Sequence, residues 1–115
     1  MSSPRPVIAQ VLHRLYLAGA EVLAAALARQ LRDQYNFIFI CLDDTGPLGQ
    51  QLIEEGFTVV NLQRRPGVDF SVIRKMRKAI AEHRVDLLHP HQYTPFFYAS
   101  AARYLSSKPP LLFTE

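Results

Sequence analysis

The sequence predicts an α/β fold: a Rossmann-like three-layer sandwich with a parallel sheet of about five strands, ordered 3-2-1-4-5. Two observations predict it. Short apolar runs alternate with segments of helical periodicity along the whole chain. The run Phe37-Ile38-Phe39-Ile40-Cys41-Leu42 is apolar at every position. That suits a central parallel strand, buried on both faces. Strand and helix then alternate as βαβ units, which right-handed crossovers close into a sheet covered by helices on both sides.

Each element has its own signature. Val7 to Leu12 is the first strand, and Glu21 to Leu31 the first helix, with a stripe of Leu23, Leu27 and Leu31 beside Ala24 and Ala28. Phe37 to Leu42 is the second strand. Gly46-Pro47 opens a helix with proline in its first turn, Leu48, Leu52 and Ile53 inward, and Gly56 to close it. Thr58 to Leu62 is the third strand, followed by a loop at Arg64-Arg65-Pro66-Gly67. Asp69 or Ser71 can cap the next helix, whose inner face is Val72, Ile73, Met76 and Ile80. Val85 to His89 holds the fourth strand. Thr94 or Pro95 begins a helix through Ala99, Ala102 and Leu105, and Leu111 to Thr114 is the fifth strand.

Composition bounds the class. The 115 residues fit one domain, with residues 1–6 a flexible terminus and 7–115 the folded unit. A content of 49% hydrophobic and 20% charged residues is that of a globular chain, not a disordered or fibrous one. The single cysteine, Cys41, excludes an internal disulfide framework and fits a reducing cytoplasm; inside its apolar run it reads as an inert buried thiol. No apolar run approaches the ~20 residues that span a bilayer, and Met1 to Pro6 lacks the pattern of a signal peptide. A net charge of +3 permits an acidic partner without demanding one.

Chemistry concentrates after the strands. The loop Ala18-Gly19-Ala20-Glu21 brings small residues to a strand-to-helix junction, where backbone N–H groups and the helix dipole can meet a phosphate or hydroxyl. The competing reading is a tight helix start, with Gly19 chosen for its backbone angles. The G-x-G-x-x-G pattern of a dinucleotide site is absent. After the fourth strand comes His89-Pro90-His91-Gln92-Tyr93. The i, i+2 spacing puts both histidines on one face of a strand. Hydrogen bonding to a polar ligand and a satisfied strand-end histidine both remain open, whereas a metal needs a third ligand that no Cys/His/Asp cluster supplies. In a sheet ordered 3-2-1-4-5 the two loops face one crevice at the point where strand order reverses.

Arg64, Arg65, Arg74, Lys75, Arg77 and Lys78 form the basic concentration. It reads as a solvated helix face or as a contact for anionic lipid or a phosphorylated acceptor, and no motif points to nucleic acid. Asp43-Asp44 reads as a solvated turn; a receiver-domain acidic cluster would need carboxylates where His13-Arg14 and Gln63-Arg64 stand.

The ordered set Val11-Leu12-His13, Gly19-Ala20-Glu21, Gly46-Pro47-Leu48, Arg65-Pro66-Gly67-Val68-Asp69, Asp86-Leu87-Leu88-His89-Pro90-His91 and Thr114-Glu115 resembles the N-terminal, acceptor-side domain of a retaining, GT4-like glycosyltransferase of the GT-B fold. The resemblance spans nearly the whole chain after Pro6. Two positions depart from it: Ala18 stands where the family often has a first glycine, and Pro90 where the middle residue of His-x-His is usually small or hydroxylated. The family pattern continues past Thr-Glu with a His-Gly that this chain does not reach.

The resemblance implies a cytoplasmic enzyme half that moves a sugar from a nucleotide-sugar donor to a sugar or lipid-linked acceptor. A C-terminal donor-binding domain would complete it, peripheral contact with an anionic membrane is allowed, and the isolated chain would be inactive. Gly19 and Ala20 would face the diphosphate or acceptor, and His89, His91 and Tyr93 would line the cleft. Arg14 and Arg64 would recruit an anionic acceptor. No metal and no cofactor is expected. The alternative is a non-enzymatic α/β ligand-binding module using the same crevice.

Overall fold

The computed structural model of the chain describes residues 5–15, 19–103 and 109–113. Among them, β1 (Val7–Arg14), β2 (Asn36–Asp44), β3 (Thr58–Asn61) and β4 (Leu87–Pro90) pair in parallel in the order β3-β2-β1-β4. Helices α1 (Gly19–Leu31), α2 (Gly46–Glu54), α3 (Phe70–Glu82) and α4 (Tyr93–Arg103) connect and cover them.

Strand alternation sorts side chains to the two faces. Ala9 and Val11 of β1, with Ile38, Ile40 and Leu42 of β2, pack under Val72, Met76 and Ala79 of α3 and Tyr98, Ala99 and Ala102 of α4. Their strand neighbours Phe37, Phe39 and Cys41 face the other way, against Ala24, Ala25 and Ala28 of α1 and Leu48 and Leu52 of α2. The result is a helix–sheet–helix sandwich with a core on each side, as the alternating pattern predicts.

Among the described residues the sheet has four strands where five are expected. The segment expected as the fifth makes one parallel bridge, Leu111 with Leu88, on the outer edge of β4. Leu88 N–H donates to Pro110 O at 2.9 Å and Leu112 N–H to Leu88 O at 2.8 Å. Pro109 and Pro110 cannot donate to a ladder, and β4 offers only four residues of edge, so pairing stays local. The segment nonetheless lies where the order 3-2-1-4-5 puts it; Thr114, Glu115 and Leu105 fall outside the described residues.

Element edges and faces also shift. β1 runs on to Arg14, so His13 and Arg14 belong to the strand rather than to a loop. β4 spans Leu87–Pro90 rather than Val85 to His89, and α1 starts at Gly19. The inner face of α1 is alanine, with Leu23 58% exposed; small residues let the helix backbone lie close to the sheet, which rotates the leucine stripe sideways. Ile53 of α2 is likewise exposed, and Leu48 and Leu52 carry the contact. Asp69 is the α3 cap, accepting from Ser71 N–H at 3.0 Å. Cys41 is buried, and burial pushes its thiol up to about 12, as an inert core thiol requires.

Phe39 is fully buried and meets the Phe57 ring edge-on at 5.8 Å. Phe39→Ala is expected to cost about 3–5 kcal/mol, read as a lower urea midpoint at unchanged slope.

Candidate functional site

The site grows from the seam between β1 and β4. Asp86 clamps its lower end: its backbone N–H donates to Val7 O at 2.7 Å and its side chain accepts from Val7 N–H at 2.8 Å. His91 N–H donating to Val11 O at 3.0 Å closes the upper end. Between the clamps the register sets Gln10 beside His89 and Val11 beside Pro90. Gln10, His89 and His91 therefore project from the same face, the one covered by α1, as the i, i+2 spacing predicts.

All three are buried. The imidazoles of His89 and His91 lie 4.3 Å apart, centroid to centroid, tilted by 41°. His91 Nε2 is 2.6 Å from the amide oxygen of Gln10. An amide oxygen only accepts, so Nε2 carries the hydrogen and Nδ1 keeps its lone pair. Among the described residues neither that Nδ1 nor the amide nitrogen of Gln10 has a partner, and both are buried. Burial holds His89 below the ordinary histidine range; burial, and then the neighbouring His89, push His91 down to about 4. At neutral pH both rings are thus uncharged donor–acceptor groups. Directly after His91, Gln92 adopts a left-handed backbone at φ 73°, a sparsely populated conformation for a residue with a side chain.

The head of α1 rises from the adjacent strand. Gly19 is exposed, its φ lies outside the left-handed region, and a Cβ built there would meet nothing within 4 Å. Among the described residues neither a left-handed backbone angle nor packing calls for glycine here. Ala20, half-buried, follows in the first turn.

Arg64 and Arg14 stand on the β2 side. The chain bulges between Leu12 and Arg14, which turns His13 toward Asp43, Nδ1 to Oδ2 at 3.5 Å. Arg64 donates to the same carboxylate from Nε at 2.7 Å and from its terminal nitrogen at 3.2 Å, with its guanidinium 5.7 Å from the Tyr98 ring centre. Burial works against the charged Asp43, but the bonds from Arg64 and His13 outweigh it and hold its pKa below the usual carboxylate range. Asp43 is thus a half-buried strand residue that holds Arg64 in place, not a solvated turn. Arg14 is exposed at the end of β1. Tyr93 opens α4, and its side chain lies outside the described residues.

Tyr98 ties the β3–α3 loop down: its hydroxyl accepts from Asp69 N–H at 2.9 Å and donates to Gly67 O at 3.4 Å. Above it opens a cavity of about 380 Å³ lined by Arg64, Gly67, Val68, Thr94, Phe97 and Tyr98. A wider cavity of about 510 Å³, flanked by Arg5, Arg32 and His83, sits at the opposite, N-terminal ends of the strands. Crossover topology assigns ligands to the C-terminal ends, so size does not decide between them. Among the described residues no group of three His, Cys, Asp or Glu could hold a metal ion, and no helix is long and apolar enough to cross a membrane.

The sequence signature of Glycosyltransferase Family 4 matches residues 17–115. The chain belongs to this family. Its fold superposes on a glycosyltransferase from Rickettsia africae at a TM-score of 0.76, with 20% identity over 96% of this chain. That match covers 30% of the Rickettsia protein, so the chain spans less than a third of that enzyme. The C-terminal domain of a Pyrococcus furiosus hydrogenase is a looser likeness: TM-score 0.55, 10% identity, covering 98% of this chain and 95% of that one. No curated protein matches the chain. Family membership bears out the resemblance read from the ordered motifs. Gln10, Asp43 and Tyr98 were not singled out by it.

Two outcomes follow for the family 4 chain. Gly19→Ala leaves its stability unchanged or raises it by about 0.4–1 kcal/mol, since alanine suits a helix start with open space around it; a fall beyond that in thermal unfolding contradicts the geometry. The pH dependence runs through the histidines. His91 and His89 bind protons less readily folded than unfolded, so their contribution is full above about pH 6.5 and is lost as pH falls below it, for His91 down to about 4. The His91 share is about 3 kcal/mol at most. Urea midpoints at about pH 7.5 and about pH 4.5 should therefore diverge, and His91→Gln should narrow the gap.

Proposed function

We propose that this chain is the acceptor-side half of a retaining glycosyltransferase that moves a sugar from a nucleotide-sugar to an acceptor hydroxyl. The observation that carries the reading is the coincidence of family membership with the β1–β4 reversal: the family match covers the loop that opens α1 and the segment holding His89 and His91, which leave neighbouring strands at their C-terminal ends. In this reading the free N–H groups at Gly19 and Ala20 meet the diphosphate or an acceptor oxygen, where the helix dipole favours negative charge. A glycine that neither a left-handed φ nor packing among the described residues demands supports close approach by a ligand.

His89, His91 and Tyr93 hydrogen-bond sugar or acceptor groups. Neutral imidazoles suit this, since hydroxyl recognition needs donors and acceptors rather than charge. The cavity above Tyr98 seats the acceptor, with apolar walls at Val68 and Phe97 for a lipid-linked or otherwise apolar portion and Arg64 in its lining for an anionic group, which Arg14 at the exposed end of β1 also attracts. Catalysis is then positioning plus stabilisation of the leaving diphosphate, completed by a second α/β domain that supplies most nucleotide contacts. The enzyme works in the cytoplasm, and exposed basic residues of α3 with Phe70 allow contact with an anionic membrane.

The test is transfer from labelled nucleotide-sugars. The 115-residue chain alone should transfer nothing, and the same chain continued into a second α/β domain should be active. There, His91→Ala should lower kcat/KM at least about tenfold. Transfer by the isolated chain overturns the proposal.

A further inference from the structure

We infer that Gln10 is a positioning residue: its amide oxygen fixes His91 as the Nε2–H tautomer, so that Nδ1 is held as a bare acceptor for an O–H donor at the β1–β4 reversal. The role of that donor as a ligand hydroxyl rests on the cleft reading above; the tautomer does not.

The geometry carries the inference. Gln10 is a fully buried polar residue in the middle of the central strand, flanked by Ala9 and Val11 on an apolar core. A buried amide costs free energy unless it is bonded, so its presence needs a reason. Its oxygen has one: the 2.6 Å bond from His91. The parallel register fixes both ends, because Gln10 pairs with His89 and His91 is bonded to Val11. The histidine ring is therefore held by its backbone, by the tilted His89 ring 4.3 Å away and by Gln10. What remains unsatisfied is Nδ1, a buried lone pair without a partner among the described residues. A group in that state calls for an O–H or N–H donor. A water or a sugar hydroxyl offers the same chemistry.

The charges that act on Cys41, buried on this side of the sheet, are those of Asp44, Glu21 and Asp43, while His89 on β4 acts on His91. Among the described residues no carboxylate acts on the His91 charge, and a neutral amide is the partner that orients an imidazole without charging it.

The test reads tautomers directly, by imidazole ¹⁵N NMR on the labelled 115-residue chain at about pH 7.5. The wild type should show His91 with Nε2 protonated and Nδ1 bare. Gln10→Met keeps the volume but removes the acceptor, and should give a tautomer mixture with a native backbone spectrum. Gln10→Glu puts a carboxylate at the same reach, and should raise the His91 pKa and protonate Nδ1. Should Gln10→Met fail to fold, the wild-type tautomer and the Gln10→Glu titration still decide. A wild-type ring protonated at Nδ1, or a tautomer unmoved by Gln10→Met, overturns the inference.

In the two-domain protein, Gln10→Met should lower kcat/KM roughly tenfold, the worth of one hydrogen bond. Gln10→Glu should displace the pH–rate profile upward, because activity then needs the charged ring to lose its proton. Wild-type kcat/KM in both variants overturns the positioning role. An Nδ1 resonance that does not move when sugar is added marks the donor as water and overturns the ligand contact. Absence of transfer by the wild-type two-domain protein refutes the cleft reading alone.

Discussion

Everything at the candidate site hangs on the pairing of β1 with β4. A parallel sheet that grows outward from β1 in both directions must leave a gap where the crossovers part, and that gap lies above the C-terminal ends of these two strands. The seam is clamped at one end by Asp86 and at the other by His91. Side chains alternate with a period of two, so a slip of one residue would send Gln10 and His89 into the α3–α4 core and bring Val11 and Pro90 to the α1 face. Register is thus what makes three buried polar residues into a site rather than three isolated penalties.

The polar groups at this end of the sheet divide by what burial does to them. On the α1 face, desolvation acts without a countercharge, and the histidines become neutral. On the β2 side, Asp43 is paired with Arg64 and His13 and stays ionised. Near it, Asp69 is drawn well below the carboxylate range by bonds from the Arg65 side chain and from Ser71, with the backbone of Arg65 adding to them. Hydrogen-bonding capacity on one wall and charge on the other follow from which partners the fold supplies.

Much of this was legible in the sequence. The unbroken apolar run at Phe37–Leu42 marked a strand with two buried faces, and His89 and His91 share a face because strand geometry leaves them no alternative. Gln10 passed as part of an apolar run. Its signal was its own polarity, a lone amide among Val7, Ile8, Ala9, Val11 and Leu12, but its partner is 81 residues away and only the register names it. Asp43 reads as a turn residue until a bulge and an arginine 21 residues on make it the anchor of a pair. The α1 stripe failed differently: periodicity identified the helix, while the choice of face was made by close packing, which favoured alanine over leucine. Among the described residues the expected fifth strand keeps one bridge, beside two prolines that cannot donate.

The two ends of the sheet offer rival cavities, and the larger one is at the wrong end for this topology. The most direct measurement is amide chemical-shift mapping of the ¹⁵N-labelled chain against a panel of sugars and nucleotide-sugars. Shifts concentrated at Gly19–Ala20 and His89–Tyr93 are the predicted result. Shifts confined to Arg5, Arg32 and His83 would contradict the account.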